Sequence, residues 1–261
     1  MPFSILVCVK AVPDLSSGAP LAIDGHWVDQ TAMTWCINPY DAYALEAALA
    51  IKESVADVTV EVISAGPQRV RDTIRRAMAM GADAGIHLVM ETDDPPDAST
   101  TALALADCAA TKKYDLILTG VMSEDKMNGI TGPLIAAVLD MPCASAAIDI
   151  DPDLRNRSIT VTCEMEGGMA EIVRLECPAV VTMQTGPQPP RYPSLSNTLR
   201  SRRQAIERVM PTETTGQRMP PVTVQGLAFP DRTSTCRVIT GGMVEKADAL
   251  LQLFNEKGWL K

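Results

Sequence analysis

Val58-Thr59-Val60-Glu61-Val62-Ile63-Ser64-Ala65-Gly66-Pro67, continuing through Gln68-Arg69-Val70-Arg71-Asp72-Thr73-Ile74-Arg75-Arg76-Ala77-Met78-Ala79-Met80-Gly81, is a complete βα unit. Val58 to Ser64 is rich in β-branched residues and runs into the turn signal Ala65-Gly66-Pro67. Val70, Ile74, Ala77 and Met78 then recur at helical spacing, and Gly81 stops the helix. The same rhythm extends in both directions. Upstream, Ile5 to Lys10 reads as a strand. After an irregular stretch holding Pro13, Gly18, Pro20 and Gly25, Asn38 and Pro39 open a helix that runs to about Glu53.

Downstream, Gly85 to Met90 is a strand, followed by an acidic loop with Asp93, Asp94 and Asp97 and an Ala-rich helix from Thr100 to Lys112. Asp115 to Thr119 is the next strand, a polar loop runs to Asn128 or Gly129, a helix starts near Thr131, and Ala144 to Ile150 is again a strand. Strands alternating with helices predict an α/β fold: a Rossmann-like open, mostly parallel sheet flanked by helices. Ser158 to Glu164 and Glu171 to Leu175 flank Glu166-Gly167-Gly168, which predicts a β-hairpin whose glycines take positive φ. Ala179 to Met183 reads as the last strand, closing an α/β domain over residues 1–184. Residues 185–261 read as an extended C-terminal arm that packs on a partner. Thr185 to about Ser234 is rich in Pro, Arg, Ser and Thr with little period, and the arm ends in an amphipathic helix from Val244 to Lys257 with Ala247, Leu250, Leu251 and Phe254 on one side.

Composition bounds the function. The 261 residues are 46% apolar, 21% charged and 4% aromatic, and 23 basic against 32 acidic residues give a net charge of −9. That sign repels a phosphate backbone, so nucleic acid is not the expected partner. The longest uncharged runs, Met127 to Leu139 and Pro178 to Pro190, are too short to cross a bilayer and contain Gly or Pro. Met1 leads directly into Ile5 to Val9 with no basic region or cleavage signal, which reads as cytoplasmic. Seven scattered cysteines with no C-x-x-C read as buried reduced thiols. His26 and His87 are the only histidines and lack metal-ligand spacing, so neither a metal site nor a His-based triad is expected.

Ligands of open parallel sheets sit at the carboxyl ends of the strands, which singles out Lys10-Ala11-Val12, Ser64 to Pro67, and Gly120 to Thr131. In the third, a glycine ends a buried strand and a polar loop feeds a helix at Thr131-Gly132-Pro133. Such a terminus, with free N–H groups and a partial positive charge, suits a phosphate; the plainer reading makes Thr131 an N-cap and the loop a solvated turn. Neither G-x-x-x-x-G-K-S/T nor G-x-G-x-x-G occurs, so a ligand here is held rather than hydrolysed. Glu124 and Asp125 form an adjacent acid pair, a pattern more often solvated than catalytic. Asn38 reads as a helix cap whose side chain can also face a ligand. Arg191-Tyr192-Pro193-Ser194-Leu195-Ser196-Asn197, with Leu199, Arg200, Arg202 and Arg203, reads either as a solvated arm or as a docking element with Leu195 as apolar anchor and arginines steering an acidic partner.

Several ordered motifs together resemble the small (beta) subunit of electron transfer flavoproteins. They are Ile5 to Lys10 with Val12-Pro13-Asp14, Asn38-Pro39-Tyr40-Asp41 with Ala44 to Ala48, Ser64 to Pro67, Ala77 to Asp83, Glu166-Gly167-Gly168, Pro178 to Thr182 and Arg191 to Leu195. The resemblance runs from Ile5 to about Val209 and is loose after Pro211. It implies a heterodimer with an alpha subunit that carries most of an FAD, this chain closing one side of the flavin site and holding a structural AMP. It assigns no catalytic residue to this chain. Cys8, Asn38, Pro39, Tyr40, Asp41 and Ala65 fall on positions that meet adenine and ribose, mainly through backbone. Gly120, Val121, Met122, Ser123, Asp125, Asn128, Gly129, Ile130 and Thr131 fall on the remaining nucleotide positions, with Thr131 at the phosphate.

The chain departs from that family where it usually has Gly-Lys-Gln, a run of aspartates and Asn-Gln-Thr: Val121, Met122, Lys126, Met127, Gly129 and Ile130 replace several of them. Asp125 and Thr131 keep their places, and Ser123 and Asn128 are the substitute hydrogen-bonding groups. Arg191, Tyr192, Leu195, Leu199, Arg200 and Arg203 match the family's recognition loop, which docks acyl-CoA dehydrogenases and similar flavoenzymes. Leu195 matches its anchor leucine, while Ser196 replaces a common proline. The implied function is an electron shuttle from such dehydrogenases to a quinone-linked acceptor. Two alternatives stand beside it: a bifurcating flavoprotein with a second FAD in place of AMP, against which Thr131 counts, and a nucleotide-binding adaptor without redox function.

Overall fold

The computed structural model describes residues 2–14, 23–24, 27–28, 30, 33–90, 97–212, 228, 236 and 238–259. Its elements begin with β1 (Phe3–Cys8), β2 (Ala11–Pro13), β3 (Ile23–Asp24), β4 (Trp27–Val28), β5 (Trp35–Ile37), α1 (Pro39–Ser54), β6 (Val58–Gly66) and α2 (Val70–Met80). Next come β7 (Ala84–Val89), α3 (Ala98–Lys112), β8 (Leu116–Gly120), α4 (Thr131–Leu139), β9 (Cys143–Asp153), β10 (Ser158–Glu164), β11 (Ala170–Glu176) and β12 (Ala179–Met183). The last are α5 (Leu195–Arg203), β13 (Ile206–Val209) and α6 (Met243–Glu256).

Nine strands form one open sheet in the order β11-β10-β9-β12-β8-β1-β6-β7-β13. Pairing is parallel from β9 through β13, while β10 runs antiparallel to both β9 and β11. The α/β reading with an appended hairpin therefore holds. Parallel central strands are covered on both faces, which is why Ile5, Leu6 and Val7 are all buried. Ile5 and Val7 face Leu45, Leu49, Ile74 and Met78 of α1 and α2. Leu6 and Cys8 face Ala102, Leu105 and Ala106 of α3 and Ile135 of α4. In the β10–β11 turn Gly167 and Gly168 take φ of +76° and +74°, as the sequence predicts.

The sheet does not end with β12. Within the stretch read as an aperiodic arm, α5 and β13 form, and β13 pairs with β7 as a ninth, edge strand. Only Ile206 of its four residues is buried, so an edge strand of this kind leaves no alternation in the sequence. The segment read as irregular after β1 likewise contains two short ribbons, β2 with β5 and β3 with β4. Strands of two or three residues are shorter than any readable period. Strand β1 stops at Cys8 rather than Lys10, and α6 lies within one residue of its expected bounds at each end. The chain divides into two compact units, Met1–Gly226 and Leu227–Lys261, so β13 belongs to the first. In the second, no residue of α6 is buried.

The cysteines depart from expectation too. All are free, but only Cys8, Cys108 and Cys163 are buried, while Cys36 and Cys177 are intermediate and Cys143 and Cys236 are exposed. Cys143 opens β9, where it stands on the opposite face from its buried neighbour Ala144, an alternation that an apolar run does not announce. His87 is a core residue, its Nε2 2.9 Å from the Gly66 carbonyl oxygen. His26, Asp93 and Asp94 lie outside the described residues.

At the amino-terminal edge of the sheet, the buried Asp115 accepts from the Ser4 amide at 2.8 Å and the Ser4 hydroxyl at 3.1 Å, and pairs with Arg157. It ties β1 to β8 and to the turn entering β10. Asp115→Ala leaves the Ser4 donors and Arg157 without this acceptor, and should lower stability by about 1–3 kcal/mol per unsatisfied group, read as a reduced thermal midpoint.

Candidate functional site

At the carboxyl end of the sheet, the first turn of α1 is built into the strand ends. Pro39 at the first helical position presets φ for α1, and Asn38 and Asp41 on either side of it turn inward, both buried. Asp41 Oδ2 accepts from the Lys10 amide at 2.7 Å, and Oδ1 accepts from the Gly120 amide at 2.9 Å. One carboxylate thus joins the ends of β1 and β8 to α1. Burial pushes its pKa up to about 7, against the pull of the two backbone donors. Its place in the first turn of α1 also favours negative charge.

Asn38 precedes α1, but its side chain makes no capping bond to the helix. Its Nδ2 donates to the Met122 carbonyl at 2.8 Å, and its Oδ1 accepts from the Glu124 amide at 3.2 Å. Both ends of the amide therefore hold the loop after β8. Lys10 completes the clamp, with Nζ 3.0 Å from Ser123 Oγ and 2.6 Å from Asp125 Oδ1. Asp125 is thus ion-paired rather than one half of an acid/base pair with the exposed Glu124. Burial and the nearby Lys10 charge lower the Lys126 ammonium pKa.

The loop leads to α4, where the position before the helix is Ile130, not Thr131, and no side chain caps the start. Thr131 is the first helical residue. Gly132 lies so close to the sheet that a Cβ would stand 2.4 Å from Thr182 Cγ2 and 2.8 Å from Thr119 Oγ1. Gly120 is similarly constrained, since a Cβ there would meet Asp41 Oδ1 at 2.4 Å. The two glycines allow the α4 start and the α1 start to approach the same strand end.

The structure thus joins Asn38, Asp41, Gly120, Met122, Ser123, Glu124 and Asp125 through direct hydrogen bonds, with Lys10 as the connecting residue. Val121 donates its amide to the Met183 carbonyl at 2.8 Å, binding the loop to β12 as well. Cys8 ends β1 beneath this cluster, and burial raises its thiol pKa, keeping it protonated. Ala65 lies near the end of the adjacent β6, half-buried; Pro39 is exposed and Tyr40 half-buried. Asn128, Gly129 and Ile130 are exposed on the loop. Lys10 opens one of the three strand-end segments singled out in the sequence, though without its bonds to Ser123 and Asp125; Thr182 was not among the expected site residues. Lys10 was visible only as the residue ending a strand, and nothing local marks Thr182 as the wall behind Gly132. Among the described residues, no group of three or more His, Cys, Asp or Glu side chains could hold a metal ion. No helix of the described chain is long and apolar enough to cross a membrane.

The segment expected to dock a partner lies in the same unit. Tyr192, Leu195 and Leu199 are exposed, and Ser194 caps α5 by accepting from the Asn197 amide at 3.2 Å. Arg200, Arg202 and Arg203 are exposed in the last turn of α5. Arg191 differs from the other arginines of this segment. Its guanidinium is bound to α1, with Nη2 2.7 Å from Glu46 Oε1 and 3.1 Å from Glu53 Oε2. The acidic partners were far away in sequence, so the isolated Arg looked free.

Residues 26–214 match the family model described as the electron transfer flavoprotein domain. The chain is 31% identical over 259 residues to electron transfer flavoprotein subunit beta of Methylophilus methylotrophus, covering 97% of this chain and 98% of that protein. It is 35% identical over 211 residues to the same subunit of Megasphaera elsdenii, with 77% and 76% covered. The human subunit beta is 33% identical over 209 residues, with 79% and 81% covered. By these matches the chain belongs to the electron transfer flavoprotein family, among its beta subunits.

Proposed function

We propose that this chain holds AMP at the Gly120–Thr131 loop and, paired with an electron transfer flavoprotein alpha subunit, completes the site of one FAD in a cytoplasmic electron carrier. The observation carrying the nucleotide assignment is the loop after β8, fixed to α1 through Asp41 and Asn38 and delivered to an α4 start that no side chain caps. Uncapped N–H groups and the positive end of the α4 dipole suit a phosphate, and Thr131 adds a hydroxyl donor beside them. Lys10 and Lys126 contribute positive charge nearby. Adenine and ribose would lie over Cys8, the Asn38–Asp41 turn and Ala65, contacted largely by backbone. The chain's residues bind and orient. Redox chemistry is supplied by the flavin when it is bound with the alpha subunit.

The exposed Tyr192, Leu195 and Leu199 form the docking ridge for a reduced flavin dehydrogenase of the acyl-CoA type, from which electrons pass to a quinone-linked acceptor. Truncating a central apolar anchor costs about 1–2 kcal/mol or more. In the heterodimer, Leu195→Ala should therefore slow reduction by an acyl-CoA dehydrogenase about tenfold or more, with flavin content unchanged; an unaltered rate removes the docking role. The same preparation should not oxidise NADH, since NADH oxidation with a second flavin is the bifurcating alternative.

Asp41 gives a pH test. A carboxyl whose folded pKa is about 7, above its unfolded value, stabilises the fold fully below about pH 4 and loses that contribution as pH rises through 7. Asp41→Asn carries no such titration, so its thermal midpoint should change less between pH 5 and 8 than that of the parent complex. It should also retain less AMP, because one of the two amides that Asp41 accepts now faces an NH2 group.

A further inference from the structure

Four donors of Arg191 end on α1. Its backbone amide lies 3.0 Å from Glu46 Oε2, Nε lies 2.9 Å from the same oxygen, and Nη1 lies 2.5 Å from Glu53 Oε1, in addition to the Nη2 contacts. The Glu46 side chain is only 6% exposed, beyond the reach of an incoming protein. A carboxylate this buried requires a partner, and the planar fork of arginine fits it at two points. At its other end α5 is held to α2 by Arg75, whose Nη1 lies 2.6 Å from the Ser201 carbonyl oxygen. Between these clamps stand Tyr192, at 88% exposure, and Leu195, at 77%, with Leu199 one helical turn further on the same face. Tyr192 and Leu195 are largely exposed, so little packing of their own holds these two side chains in place. Without the clamps, ordering the segment would fall to the docking step and weaken it.

We propose that the Arg191–Glu46–Glu53 cluster positions the Tyr192–Leu195–Leu199 ridge for docking, so that Arg191 acts through α1 and not by meeting the partner. The proposal rests on the docking reading above. Its test uses the heterodimer and a panel of acyl-CoA dehydrogenases reduced by their substrates, with KM for the carrier and kcat measured separately. Glu46→Gln and Arg191→Gln should each raise KM about tenfold, leave kcat and flavin content unchanged, and be no worse combined than singly. Arg191→Lys keeps the charge but loses the fork, and should behave like Arg191→Gln. Amide exchange over residues 191–199 should accelerate in all three variants.

A KM unchanged by Glu46→Gln, or restored by Arg191→Lys, overturns positioning in favour of direct steering by charge. A fall in kcat with flavin loss also overturns positioning, because it marks a structural role alone. Leu195→Ala separates the two levels: if it leaves KM unaltered, or if no dehydrogenase reduces the parent complex, the docking reading fails and this proposal fails with it. If Leu195→Ala raises KM and Glu46→Gln does not, only the positioning claim falls.

Discussion

The Asp41 carboxylate, accepting one amide just past the end of β1 and one from the end of β8, is the contact on which the carboxyl end of the sheet depends. Neighbouring parallel strands diverge where their ladder stops, leaving backbone donors that need acceptors. A single buried side chain on α1 satisfies one on each strand. That fixes where β8 releases the chain, and thereby where the following loop starts. Asn38, on the other side of Pro39, then sets the loop's path through the Met122 carbonyl and the Glu124 amide. Gly120 and Gly132 leave room for both helix starts to reach the same strands.

Helix α1 supports both regions to which a function is proposed. Its first turn holds the loop proposed to carry AMP, and Glu46 and Glu53 farther along hold Arg191 and the ridge that follows. The proposed nucleotide site and the proposed docking surface are therefore built on one rigid element that is packed against the core by Ala44, Leu45, Ala48 and Leu49. On the proposed assignments, holding two surfaces in fixed positions is the physical task that α1 accomplishes.

Much of this fold was legible because the central strands and helices carry strong periods. Val58 to Gly81 could be read as one βα unit, although β6 runs on through Gly66 and not only to Ser64, and the double glycine at Gly167 and Gly168 marked its turn. Strand β13 was not legible, since an edge strand with one buried residue resembles a charged loop. The site was half legible. The strand-end rule pointed to Gly120 through Thr131, and the family motifs pointed to Asn38 and Asp41. What each side chain does there was hidden, because those roles depend on partners far off in sequence. Asn38 looks like a cap until Met122 and Glu124 are beside it, and Arg191 looks like a free cation until Glu46 is.

The central claim is that this subunit holds AMP and shares a single flavin. Mass spectrometry of the small molecules released by denaturing the purified heterodimer tests it most directly. One AMP for each FAD is the predicted result; two FAD and no AMP would contradict it.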